Sequence, residues 1–148
     1  MELTIDSQSF DVPGAWEHNT SIARLLVNAR GRGESITMPY VPGRVAYPVR
    51  RDEIIVDLEL EVYGDVDHAG APHADEYVGL ADNLLFLQDF ANDRMEGTAT
   101  YPAVLTVGTR TFEADVQILN MLLMQHRITA AYVSYDLRIP AGRWTEVA

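Results

Sequence analysis

Between Glu53 and Val62 the chain alternates almost without fault: Ile54, Val56, Leu58, Leu60 and Val62 fall on one side, Asp57, Glu59 and Glu61 on the other. Period-two alternation of this length specifies a half-buried antiparallel strand, with one face on a core and one in water. It recurs twice. Phe112, Ala114, Val116 and Ile118 oppose Thr111, Glu113, Asp115 and Gln117. Ala131, Val133, Tyr135, Leu137 and Ile139 oppose Tyr132, Ser134, Asp136 and Arg138. Gly108-Thr109 suits a two-residue hairpin loop between strands over 103–107 and 110–118. Pro140-Ala141-Gly142 ends the last strand. The expected fold is mainly β: an antiparallel sandwich or barrel-like core in one domain spanning 1–148.

Other segments fill in the order. Leu3 to Ile5 reads as a short first strand, and Pro13-Gly14 as a turn leading to Trp16, a core or interface anchor. Ile22 to Val27 reads as a second strand. One helix is expected, over about 75–92, with Leu80, Leu84, Leu87 and Ala91 at helical spacing and Leu85 widening the stripe. Asp75 and Glu76 place negative charge at its first turn. Ile118 to Met124 loses the alternation and is apolar on both faces, which marks Met121 and Leu123 as candidates for a subunit interface. Gln125 to Arg127 is read as the turn that follows.

An arm over about 30–51 precedes the long strand, too rich in Gly and Pro for a core. Pro42-Gly43 suits a type II turn between two short flanks, and Pro39 and Pro48 keep those flanks from being central strands. Charge singles the arm out. The net charge is -11, and all eleven basic residues are Arg. Six of them lie within 24–51, opposed there only by Glu34, so that segment carries +5 and the remainder -16. A basic arm on an acidic body fits docking onto an identical neighbour. Arg30, Arg32, Arg44, Arg50 and Arg51 are the contact candidates, and an arm whose Arg pair within their own subunit is the plainer alternative.

Enzyme chemistry finds little footing. The absence of cysteine removes disulfides, thiolate metal sites and Cys nucleophiles. There is no Gly-x-Ser-x-Gly elbow and no phosphate-binding loop. Asp65, Asp67, His68, His73 and Asp75 could together hold a divalent metal, but their spacing matches no known ligand pattern. A solvated connection is the simpler reading, as are surface or turn placements for His18 and His126. Neither metal nor cofactor is expected. No apolar run is long enough to span a bilayer, and the N-terminus has no signal-peptide pattern, so synthesis in the cytoplasm is the default expectation.

The order of these parts resembles a known family. An Arg/Gly arm leads to VPGR at 41–44. A long strand closes in VYGDVD at 62–67, GLADNLLFL at 79–87 runs into the helix, and LRIPAGRW at 137–144 closes the chain. This order and texture, over roughly residues 10–145, resembles minor tail proteins of long-tailed bacteriophages. It looks like the ring-forming domain of the distal tail protein and, more distantly, the tail-tube protein. The resemblance implies a structural virion protein at the junction of tail tube and baseplate, assembled in the host cytoplasm. It would form a homo-oligomer, a hexameric ring, and contact tail-tube, hub or baseplate and tape-measure proteins. DNA would pass through without specific binding. In such a ring Asp57, Glu59, Glu61, Glu113 and Asp115 are candidates to line the channel. A tail-tube or tail-terminator place is the near alternative. A small metal-dependent enzyme using the His68/His73 loop and a monomeric sandwich-type binding module are the alternatives of other classes.

Overall fold

A computed structural model describes residues 2–18, 20, 22–26, 31–32, 35–37, 44–46, 50–51 and 53–147, with backbone only in the arm. In chain order the strands and helices are β1 (Glu2–Ile5), β2 (Gln8–Ser9), β3 (Trp16–His18), α1 (Ile22–Leu26), β4 (Gly31–Arg32), β5 (Ser35–Thr37), β6 (Arg44–Ala46), β7 (Arg50–Arg51), β8 (Ile54–Tyr63), α2 (Glu76–Asn92), β9 (Tyr101–Val107), β10 (Arg110–His126), β11 (Ala130–Ile139) and β12 (Thr145–Val147). The main sheet runs β2-β1-β9-β10-β11-β8-β3, all antiparallel, with β12 also on β10. It curls into a half-barrel, and α2 packs on β8 and β10. The mainly-β expectation therefore holds, and one continuous curled sheet realises its barrel-like form.

The alternation of β8 translates directly into packing. Ile54, Val56, Leu58, Leu60 and Val62 sit opposite Ile139, Leu137, Tyr135, Val133 and Ala131 of β11, and all ten are buried. Burying such side chains stabilises by about 1.5–3 kcal/mol each against leaving them in water. Phe10 meets Phe90 and Tyr135 edge-on at 5.6 Å, joining the β1–β2 end to the helix. Trp16 is fully buried, and its Nε1 donates to the Ser9 carbonyl at 3.1 Å.

Strand β10 joins the two ends of the sheet. Residues 110–116 pair with β9, 111–113 also with β12, and 117–126 with β11. Its register slips between Ile118 and Asn120 and again between Leu123 and Gln125. These bulges explain the lost alternation. Each adds one residue and shifts the phase, so Ile118 is buried and Met121 half-buried, while Leu122 and Met124 are exposed. The strand continues to His126, so the turn falls at Arg127–Thr129, two residues later than the sequence suggested.

Helix α2 begins where expected. Asp75 caps it, its Oδ1 accepting the Tyr77 N–H at 2.9 Å. The buried stripe is Gly79, Leu80, Asn83, Leu87, Phe90 and Ala91. Leu84 is half-buried, and Leu85 is 56% exposed and widens nothing. Two glycines let the helix lie close over the end of β8. A Cβ on Gly64 would stand 1.9 Å from the Glu76 carbonyl oxygen, and one on Gly79 would stand 2.1 Å from that of Gly64. Asn83 is 2% exposed and donates to the carbonyls of Tyr63 at 2.7 Å and Val66 at 2.8 Å. The glycine and asparagine of GLADN thus hold the strand–loop–helix junction.

Two local expectations change. Residues 22–26 form the short helix α1, not a strand, and Val27 lies outside the described residues. A short apolar run does not distinguish the two. Here Leu25 is buried and its carbonyl accepts from Trp144 Nε1 at 2.8 Å. The β1–β2 hairpin was not foreseen. Its loop is Asp6-Ser7, both at positive φ (48° and 67°), the geometry of a type I′ turn.

Candidate functional site: an acidic sheet face, two open flanks and a paired arm

The outward face of the β8–β11 half gathers acidic groups. Asp57, Glu59 and Glu61 point away from the core, and Glu17 of β3 lies opposite Glu61. β11 adds Tyr132 opposite Glu61, Ser134 opposite Glu59 and Asp136 opposite Asp57. Tyr132 donates to Glu61 Oε1 at 3.0 Å. The same carboxylate, by hydrogen bond, pushes the Tyr63 hydroxyl up to about 12 and raises that of Tyr132. Arg24 Nη1 lies 3.7 Å from Glu59. Arg138 reaches Glu53 and Gln117, each at 3.0 Å.

Glu113 and Asp115 continue this surface along β10. Gln117, two residues on, pairs with Arg138, which pairs with the exposed Ile55. Both carboxylates are exposed beside a hollow of about 350 Å³ shared with Arg143. The structure therefore brings the two rows named from sequence onto one sheet surface and adds Glu17 and Asp136. Asp136 was visible on the polar side of the last alternating strand. What the sequence lacked was the pairing that sets it against Asp57.

Among the described residues, two strand flanks are open. Residues 117–126 of β10 pair there with one strand only, β11. On β8, β3 covers only residues 60–62. Thr20 caps the next stretch, its Oγ1 donating to the Asp57 carbonyl at 3.1 Å and accepting the Glu59 N–H at 2.9 Å. Residues 54–56 have no second strand among the described residues. The β10 flank is apolar. Leu122, Leu123 and Met124 are exposed, and Met121 and Leu123 line a groove of about 300 Å³ with Leu84, Gln88, Asn92, Met95 and Val133.

The arm is a hairpin. Gly31 and Arg32 pair with Arg51 and Arg50, and Ser35–Thr37 pairs with Arg44–Ala46. Its described strands pair only with each other. The Pro42-Gly43 turn and Arg30 lie outside the described residues, as do the side chains of Arg32, Arg44, Arg50 and Arg51.

The His/Asp loop is folded by its own polar groups. Asp67 Oδ1 accepts the N–H groups of Ala69 and Ala71 at 2.8 and 2.9 Å, which hold its carboxyl below the usual range. His68 stacks on Phe86 at 4.3 Å, and Phe86 stacks on Trp16. Among the described residues no three His, Asp or Glu side chains converge as metal ligands. His18 departs from its expected surface placement: its side chain is 1% exposed, with Nε2 at 3.0 Å from Asp11. His126 is exposed, as expected.

The fold is shared with a solved phage protein. The crystal structure of SPP1 Dit (gp 19.1), described as a paradigm of hub adsorption apparatus in phages infecting Gram-positive bacteria, matches with a TM-score of 0.63 at 13% identity. The match covers 93% of this chain and 49% of that one, so this chain spans about half the length of SPP1 Dit. At that identity the likeness is one of fold. It agrees with the fold implied by the family resemblance in the sequence. No protein-family model and no curated protein sequence matches the chain. Among the described residues no helix is long and apolar enough to cross a membrane.

Proposed function

We propose that this protein is a structural, non-enzymatic component of a phage tail. Copies of it form a ring around the DNA channel at the junction of tail tube and baseplate. The observation that carries this reading is the fold shared with SPP1 Dit along nearly the whole chain. Three features of the subunit support it. Open flanks at β8 and β10 suit a head-to-tail contact, in which one surface of each copy meets a different surface of the next and a ring closes. The acidic sheet face suits a lumen wall, where like charge keeps DNA phosphates from sticking. The arm is a two-stranded hairpin, a form marginal by itself in water, so docking on a neighbour gives it the surface it lacks.

The ring is taken as hexameric, with tail-tube, hub or baseplate and tape-measure proteins as partners and the virion as location. The test is light scattering coupled to size exclusion, followed by electron microscopy, on the protein alone and mixed with its tail partners. Rings of six are expected. A chain that stays monomeric under both conditions overturns the proposal.

A further inference from the structure

On the outward face, the register of β8 and β11 sets Asp57 directly against Asp136. Side chains so placed have Cβ atoms about 4.5–5.5 Å apart, and like charges there destabilise the pair. Asn120 of β10 lies beside one of the two carboxyls, its Nδ2 donating a long bond to Asp136 Oδ2 at 3.4 Å. We propose that Asp57 and Asp136 share a proton across the β8–β11 ladder, so that this pair's contribution to stability falls as pH rises above the ordinary aspartate range. This concerns the single subunit and stands whether or not copies assemble.

The surroundings favour proton sharing. Along β8 the next outward groups are Glu59 and Glu61, and from β3 Glu17 faces Glu61. From β11, Tyr132 is bonded to Glu61, and Arg138 is directed to Glu53 and Gln117. From α1, Arg24 lies near Glu59. The Asp57 carboxyl is pushed above its ordinary value of 3.8, first by its hydrogen bond to Asp136, then by burial and the Asp136 charge, against an opposing pull from Arg24. Two carboxylates set directly opposite each other repel, and a proton held between them removes that repulsion. With the folded value above the unfolded one, the native state holds more protons between the two. Stability therefore falls as pH rises through that window, and above it the pair is a bare repulsion.

Asp136→Asn and Asp57→Asn keep the shape of the pair and remove one charge. Each variant is expected to melt roughly 2–4 °C above the wild type at neutral pH, the scale for relieving one cross-strand repulsion in a chain of this size. The gain should vanish in mildly acidic buffer. In parallel, carboxyl-carbon NMR of the wild type should show one of the two aspartates titrating above the ordinary range. Both carboxyls titrating in the ordinary aspartate range overturns the inference whatever the melting data, and so do variants that track the wild type at every pH.

Discussion

Replacing Asn83 should loosen the junction between β8 and α2. Its amide is 2% exposed and satisfies two carbonyls, those of Tyr63 and Val66. In Asn83→Ala both bonds are lost and the carbonyls keep no substitute from this side chain. A lost bond that leaves a buried partner unsatisfied costs about 1–3 kcal/mol. Two such losses, partly relieved by water reaching the 64–75 loop, come to about 2–4 kcal/mol. That is a large share of a total stability of about 5–15 kcal/mol, and it lowers Tm by roughly 5–15 °C. Urea unfolding followed by circular dichroism measures it: the midpoint should fall with the slope unchanged. Asn83→Asp sharpens the test. At neutral pH its carboxylate has no proton to donate and faces two carbonyl oxygens, so it should destabilise more than Ala. Burial beside two carbonyl oxygens should raise that carboxyl in the folded state, so part of the loss should return on acidification. A change within about 0.5 kcal/mol for Asn83→Ala, the range of ordinary surface substitutions, would refute the claim that this amide holds the junction.

Other consequences follow from the same contacts. Gly79→Ala places a methyl against the Gly64 carbonyl oxygen; a loss of at least about 1–3 kcal/mol is expected in thermal melts, the usual penalty of overpacking. His68→Ala removes the ring stacked on Phe86 and should cost about 0.5–1.5 kcal/mol without changing metal content, read by urea unfolding and elemental analysis. Arg44, Arg50 and Arg51 changed together to Glu should abolish assembly while the circular dichroism of the monomer stays native; assembly at wild-type yield would remove the arm from the interface.

Much of the fold could be read from residue order because three strands each keep one buried face. Alternation at 54–62 and 131–139, with Gly108-Thr109 between β9 and β10, located most of the sheet, and Asp75 located the helix start. The misreadings have local physical causes. Two bulges in β10 broke the phase of ILNMLLM, so a continuing strand looked like a strand end. Five residues at 22–26 were too few for a helical period to show. Leu85 fitted the helical stripe by spacing, but Asn83, polar and buried, occupied the core side, where the carbonyls of Tyr63 and Val66 accept its two N–H groups. In the candidate site, the acidic rows on β8 and β10 were legible as alternation. The facing of Asp57 by Asp136 was not, because register between strands distant in sequence is set by tertiary pairing. In the arm, the two short flanks on either side of Pro42-Gly43 were legible, and the structure pairs Ser35–Thr37 with Arg44–Ala46.

The central claim is that an acidic sheet face of this subunit lines a channel. The most direct measurement is a cryo-electron microscopy structure of the assembled ring, with the distance of each carboxylate from the ring axis. Asp57, Glu59 and Glu61, or Glu113 and Asp115, are expected to form a band facing the lumen, repeated once per copy. All five carboxylates pointing away from the channel would rule out a lumen role for this face.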